Sequence, residues 1–145
     1  MLEIPLVRLD EDLPLPSYAR VGDAGCDLVA RVGGILGSGG GRATIATGIA
    51  LEIPEGYAGL VLSRSGLAAR HGVICLNAPG LIDPGYRGEL AVILVNTDPA
   101  TPYEIHRGDR IAQLVICRVE EARFLAVERL ETSERGDGGF GHSGR

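Results

Sequence analysis

The sequence contains no lysine and no tryptophan: all 14 basic residues are arginine, and aromatic residues make up only 4% of the chain. Without an amine side chain, a Walker A phosphate loop, a Schiff base and a Ser-Lys dyad are all excluded. Any phosphate bound here must be held by arginine forks, backbone amides and a metal. Scarce aromatics leave Val, Leu, Ile and Ala to build the core. Cysteine is also sparse: Cys26, Cys75 and Cys117 are odd in number and form no Cys-x-x-Cys pair. That argues against a disulfide framework and fits a reducing compartment. His71 and Cys75 lie four apart with no second pair of matching spacing, so zinc is not expected. A net charge of −5 argues against a nucleic-acid polymer as partner, which would need a basic face. Converging arginines can still attract a small anion. No apolar run approaches the ~20 residues of a membrane helix. The opening Met-Leu-Glu-Ile-Pro lacks the basic region and long apolar stretch of a signal peptide. The expectation is a soluble, cytoplasmic protein with no membrane partner.

What is present is a chain of 145 residues, ample for one domain with a real core. Short apolar runs recur between Gly, Pro, Asp and Asn: 2–7, 27–30, 44–46, 49–53, 58–62, 72–76, 89–95 and 110–119. Most are too short for helices and many are β-branched. The pattern predicts an all-β protein, a jelly-roll-like antiparallel β-sandwich or barrel, with one short helix over Gly66–His71. Gly33–Gly41 is expected to be a flexible surface loop. Residues 1–133 read as the β domain and 134–145 as a flexible Gly-rich C-terminal lid.

Polar residues that break the strand pattern gather in five clusters at turns. Asp23-Ala-Gly-Cys-Asp-Leu28 sets two carboxylates around a glycine, which a capped turn would also explain. Ser63-Arg-Ser-Gly-Leu-Ala68 runs a strand into the helix, either as a serine N-cap or as a cradle for an anion built by Arg64, Ser65 and backbone amides. Asn77-Ala-Pro-Gly-Leu-Ile-Asp-Pro-Gly-Tyr-Arg-Gly88 reads as a hairpin displaying Asn77, Asp83 and Tyr86. In it Asp83 is a candidate general base, Asn77 a base-edge reader and Tyr86 a flat platform. Gln113, the only glutamine, stands in an otherwise apolar strand, where a buried amide needs a backbone or ligand partner. The tail from Arg135 to Arg145 has an arginine for an anion and Phe140 for a flat apolar ring.

In this order, the five clusters resemble the five motifs of the trimeric dUTPase family: Ala-Gly-x-Asp-Leu, Pro-Arg-Ser-Gly, Gly-x-Ile-Asp-x-x-Tyr-x-Gly, Arg-x-Ala-Gln and Arg-Gly-x-x-Gly-Phe-Gly-x-x-Gly. The resemblance runs from Asp23 to Gly144. Two positions depart from it. Ser63 stands where the family usually has proline, which is expected to loosen that turn. His142 stands where the tail usually has a serine, which removes one hydroxyl from the terminal-phosphate contacts.

The resemblance implies Mg²⁺-dependent hydrolysis of dUTP to dUMP and pyrophosphate, with Asp83 as general base for water attack on the α-phosphorus. Arg64, Ser65, Gly66 and Gln113 would hold phosphates, Arg135 would clamp the terminal one, and Gly141 and Ser143 would join it in the tail. Asn77 with Gly80 and Ile82 would read uracil, Tyr86 would pack under the deoxyribose, and Phe140 would stack on the base. Asp27 would touch the hydration shell of Mg²⁺, which phosphate oxygens mainly hold. A homotrimer with sites between subunits is implied as well. The alternatives are a dCTP deaminase of the same superfamily and a non-catalytic nucleotide-binding relative. The intact Gly80–Gly88 motif speaks against the first, and the presence of both Asp83 and Arg135 against the second.

Overall fold

The computed structural model describes residues 2–134 and 136–137. Among these residues, eleven short strands and one helix alternate with turns: β1 Leu6–Arg8, β2 Cys26–Val29, β3 Gly34–Leu36, β4 Arg42–Ala46, β5 Ile49–Leu51, β6 Tyr57–Ser63, α1 Ser65–His71, β7 Val73–Cys75, β8 Gly80–Ile82, β9 Ala91–Asn96, β10 Tyr103–Ile105 and β11 Arg110–Arg118. All pairings are antiparallel. The largest sheet has the order β2-β11-β6-β8, a second has β4-β9-β7, and β1-β5 and β10-β3 form two-stranded ribbons. The all-β, jelly-roll-like expectation with one short helix therefore holds. Among the described residues no helix is long and apolar enough to cross a membrane.

One aliphatic cluster fills the interior, with Leu28, Leu36, Ile53, Val73, Leu90, Val92, Leu94, Ile105 and Ile111 almost fully buried. Alternation sets this inward face: in β2 the even positions Cys26 and Leu28 are buried, while Asp27 and Val29 look outward. Gly59, in the middle of β6, is a close approach. A Cβ there would sit 3.0 Å from Ile53 and 3.1 Å from Leu114, tighter than ordinary contact, so a methyl would have to push those side chains aside.

Local reading missed two features. Gly33–Gly41 is not all loop, because Gly34–Leu36 pairs with Tyr103–Ile105 across nearly seventy residues of chain. A three-residue strand flanked by glycines has no periodicity of its own and exists only through that distant partner. Asn77–Gly88 is likewise no free-standing hairpin. Its segment Gly80–Ile82 is laid on β6 with Gly80 opposite Val61 and Ile82 opposite Gly59. Among the described residues the last strand ends at Arg118, and beyond it Phe124, Leu125, Val127 and Leu130 are exposed.

Candidate functional site

Asp27 is the centre of the first group. Its carboxylate accepts from Arg64 Nε at 2.9 Å and from Arg110 Nη1 at 3.2 Å, while Arg64 Nη1 also donates to the Arg110 carbonyl at 3.1 Å. Arg64 and Asp27 are each about four-fifths buried, so the pair is shielded from solvent more than a surface ion pair is. Gln113 lies directly opposite Asp27 in the β2–β11 register and lines a cavity of about 370 Å³ with Asp23, Gly25, Asp27 and Leu62. It is half-buried and open to this cavity, so it needs no sealed partner.

A β-bulge explains how Arg110 and Gln113 serve one face. Residues three apart on a regular strand point to opposite sides. Here the register slips between Arg110 and Ala112, both Ile111 and Ala112 go inward, and Arg110 and Gln113 both face Asp27. Sequence reasoning did not single out Arg110. The signal was the Arg-Ile-Ala-Gln spacing itself, which is incompatible with simple alternation.

The second group opens helix α1. Its N-cap is Arg64, in extended conformation and without any side-chain cap, so Ser65 is not the capping serine. Leu67 and Ala68 amides donate to the Arg64 carbonyl at 3.1 and 3.0 Å. Ser65 is exposed, and Gly66 lies under the guanidinium of Arg70, one turn on: a Cβ at Gly66 would sit 3.0 Å from Arg70 Nη2. At the position expected to loosen the turn, Ser63 Oγ accepts the Cys75 amide at 2.8 Å. The Cys75 thiol beside it is pushed up from its ordinary value by burial, partly opposed by the Ser63 hydroxyl, and stays neutral at physiological pH.

The third group is the Asn77–Gly88 excursion. Asp83-Pro-Gly-Tyr86 forms a β-turn closed by the Tyr86 amide on the Asp83 carbonyl at 3.1 Å, with Pro and Gly at its two central positions. Asp83, Ile82 and Tyr86 line one groove of about 280 Å³ with Thr44, Ala91 and Ile93. The Tyr86 hydroxyl donates to the Glu89 carbonyl at 2.9 Å, which fixes the ring. Gly88 makes this possible: a Cβ there would come within 2.5 Å of the Tyr86 oxygen. Gly80 leaves room for Asn77 in the same way, with its absent Cβ only 3.3 Å from the Asn77 amide nitrogen. Asn77, Asp83 and Tyr86 are all exposed.

These groups do not converge within one chain. Asp83 follows Ile82, which pairs with Gly59, and so lies level with Ala58 on β6; Arg64 lies just past the other end of that strand. Six residue steps at ~3.3 Å each separate them by roughly 20 Å along the strand. Arg64 also turns away from β8, toward Asp27 on β2. The predicted residues Arg135, Phe140, Gly141 and Ser143 lie outside the described residues.

For metal binding, no group of three or more His, Cys, Asp or Glu side chains among the described residues could enclose an ion. Asp27 has both oxygens engaged by arginines, yet each carboxylate oxygen retains acceptor capacity for a water. This donor set fits outer-sphere contact with a hydrated hard cation rather than direct ligation.

Comparison with known proteins gives a consistent result. The family model for dUTPase matches residues 11–144. The chain is 58% identical over 143 residues to the deoxyuridine 5'-triphosphate nucleotidohydrolase of Thermobifida fusca, covering 99% of this chain and 79% of that one. It is 53% identical to the enzyme of the same name from Rhodococcus erythropolis, covering 99% and 87% of the two chains. Among solved structures, the Staphylococcus bacteriophage 80alpha dUTPase with dUPNHPP superposes with a TM-score of 0.91 at 30% identity over all of both chains. A mutant dUTPase from phage phi11 of S. aureus, described with a structural Mg(II) ion, superposes with a TM-score of 0.82 at 28% identity, covering 90% of this chain and 100% of that one.

Proposed function

Because the chain belongs to the dUTPase family, and is by that membership a dUTP diphosphatase, we propose that it hydrolyses dUTP to dUMP and pyrophosphate at sites shared between the subunits of a homotrimer. The observation that carries the shared site is the gap of roughly 20 Å between Asp83 and Arg64 in one chain, by the strand rise of ~3.3 Å per residue. A triphosphate cannot reach both. Closed rotational symmetry brings the Asp83 groove of one subunit to the Arg64 group of its neighbour without any new element.

In this reading a water lies against the Asp83 carboxylate and attacks the α-phosphorus. Asp83 takes its proton, the bond from the α-phosphorus to the bridging oxygen breaks, and pyrophosphate leaves. A positioned base of this kind contributes ~10²–10⁴ in rate. Arg64 holds phosphate oxygens through charge-assisted bonds, each adding roughly 1.5–3 kcal/mol. Asp27 and the Arg110 carbonyl pre-set the Arg64 fork, so little ordering remains when substrate arrives. Ser65, Gly66 and Gln113 complete the phosphate contacts. Asp27 would hold a hydrated Mg²⁺ through its water shell, and that ion would supply charge neutralisation at the phosphates.

Specificity rests on the Asn77–Tyr86 segment. Asn77, with the backbone at Gly80 and Ile82, pairs with uracil, and cytosine would leave polar groups unmatched. Tyr86, locked by Glu89 and Gly88, lies under the deoxyribose where a 2′-hydroxyl would collide. Arg135 clamps the terminal phosphate, Phe140 covers the base, and Gly141 and Ser143 complete the closure from residues 134–145. We place the reaction in the cytoplasm, where the reduced cysteines and the nucleotide pool belong together.

The test is pyrophosphate release with Mg²⁺ from dUTP, dCTP, dTTP and UTP in parallel, with Asp83→Asn beside the wild type. Release from dUTP alone, lowered by two or more decades in the variant, is the expected result. Equal turnover of UTP, or an unimpaired variant, would overturn the reading.

A further inference from the structure

We propose that Ser63 is a positioning residue: its hydroxyl ties the end of β6, from which Arg64 departs, to β7, from which the chain continues into Asn77. The inference rests on the proposed roles of Arg64 and Asn77.

β6 and β7 belong to different sheets and share no backbone ladder. β7 is an edge strand paired only with β9, and the Leu76 amide beside it donates to the Ile93 carbonyl at 2.8 Å. By alternation the Cys75 amide points the opposite way, away from β9, where no strand receives it. Ser63 Oγ meets it at 2.8 Å. Cys75 is 3% exposed, so this donor has no access to water and depends on the serine. The bond therefore closes the seam between the two sheets at the point where two functional segments diverge. On one side Ser63 is joined directly to Arg64, whose carbonyl starts helix α1 and whose guanidinium is seated on Asp27. On the other side Cys75 stands two residues before Asn77, and its carbonyl accepts the Ala78 amide at 3.3 Å.

A proline, the residue the family resemblance leads one to expect here, has no hydroxyl to offer. The serine thus supplies a specific cross-sheet bond that a proline ring could not. Because Arg64 and the Asn77–Tyr86 segment face different sites in the trimer, one hydroxyl sets the register of two neighbouring sites.

The experiment compares wild type, Ser63→Ala and Ser63→Thr as full-length chains. In steady-state dUTP hydrolysis, Ser63→Ala is expected to raise KM about three- to tenfold, the scale of one lost hydrogen bond, with kcat within about twofold, and Ser63→Thr to restore KM. A purely structural serine would leave KM unchanged at temperatures where the variant is folded, and that result would overturn the proposal. Amide hydrogen exchange reads the same tie without turnover. Exchange in Ser63→Ala should accelerate at Cys75 and also at Leu67 and Ala68, whose amides report the position of the Arg64 carbonyl. Acceleration at Cys75 alone would refute the coupling. If the wild type fails to hydrolyse dUTP, the assigned function falls while the exchange result still decides whether Ser63 positions Arg64.

Discussion

Two dead enzymes should make a live one. Asp83→Asn removes the base from one end of β8, and Arg64→Gln removes the phosphate fork beyond the far end of β6, roughly 20 Å away by the strand rise. Asp83→Asn should fall by ~10²–10⁴, and Arg64→Gln by about 10- to 100-fold from the loss of charge-assisted bonds. If each site takes Asp83 from one subunit and Arg64 from the next, random trimers from equal amounts of both chains carry both intact residues at about a quarter of their sites. Every mixed trimer, whichever chain it holds twice, has one such site of its three, so trimers selected through both tags should recover about a third of wild-type activity, well above either parent. The assay is pyrophosphate release after co-expression of differently tagged chains and purification through both tags. Were the site contained in one chain, every site would carry one lesion, and tag-verified mixed trimers would stay at the residual level of the parents. That result would refute the shared-site reasoning.

Gly88→Ala places a methyl within 2.5 Å of the Tyr86 oxygen and must displace the ring, so the preference for dUTP over UTP should narrow, read as the ratio of kcat/KM values. Asp10 is held below its ordinary 3.8, first by hydrogen bonding from Arg107 and further by the charges of Arg107 and Arg31. A depressed carboxylate stabilises the fold above its unfolded pKa and loses that contribution as pH falls through its folded pKa. Asp10→Asn should thus melt below wild type at neutral pH, with the two curves converging as pH drops below about 4. Equal melting temperatures at pH 7 would show that the ion pair contributes nothing. A chain ending at Glu134 should still assemble as a trimer by size-exclusion chromatography but turn over dUTP at least tenfold more slowly, consistent with closure by the tail; normal turnover would remove the tail from the mechanism.

Much of the site could be read as residue types in order. Asp83, Tyr86 and the Pro84-Gly85 pair announce their turn directly, because Pro and Gly at the centre of a β-turn are local requirements. The α1 segment was legible for the same reason, although Arg64 rather than Ser65 proved to be the cap. Strand alternation by itself would set Arg110 on the face opposite Gln113, and only the bulge reverses that. Ser63 looked like a weakened turn because its partner, the Cys75 amide, belongs to another sheet.

The sequence by itself determined the chemical inventory: arginines without lysine, β-branched runs cut by glycine and proline, and five polar clusters in a fixed order. These follow from composition and near-neighbour sterics, which act over a few residues. Tertiary structure decided which members of that inventory meet. It placed Asp27 between two arginines, paired β3 with β10, and kept Asp83 far from Arg64. Those outcomes depend on strand register, and register is set by burial summed over distant partners, where a slip of one residue would turn every side chain to the other face.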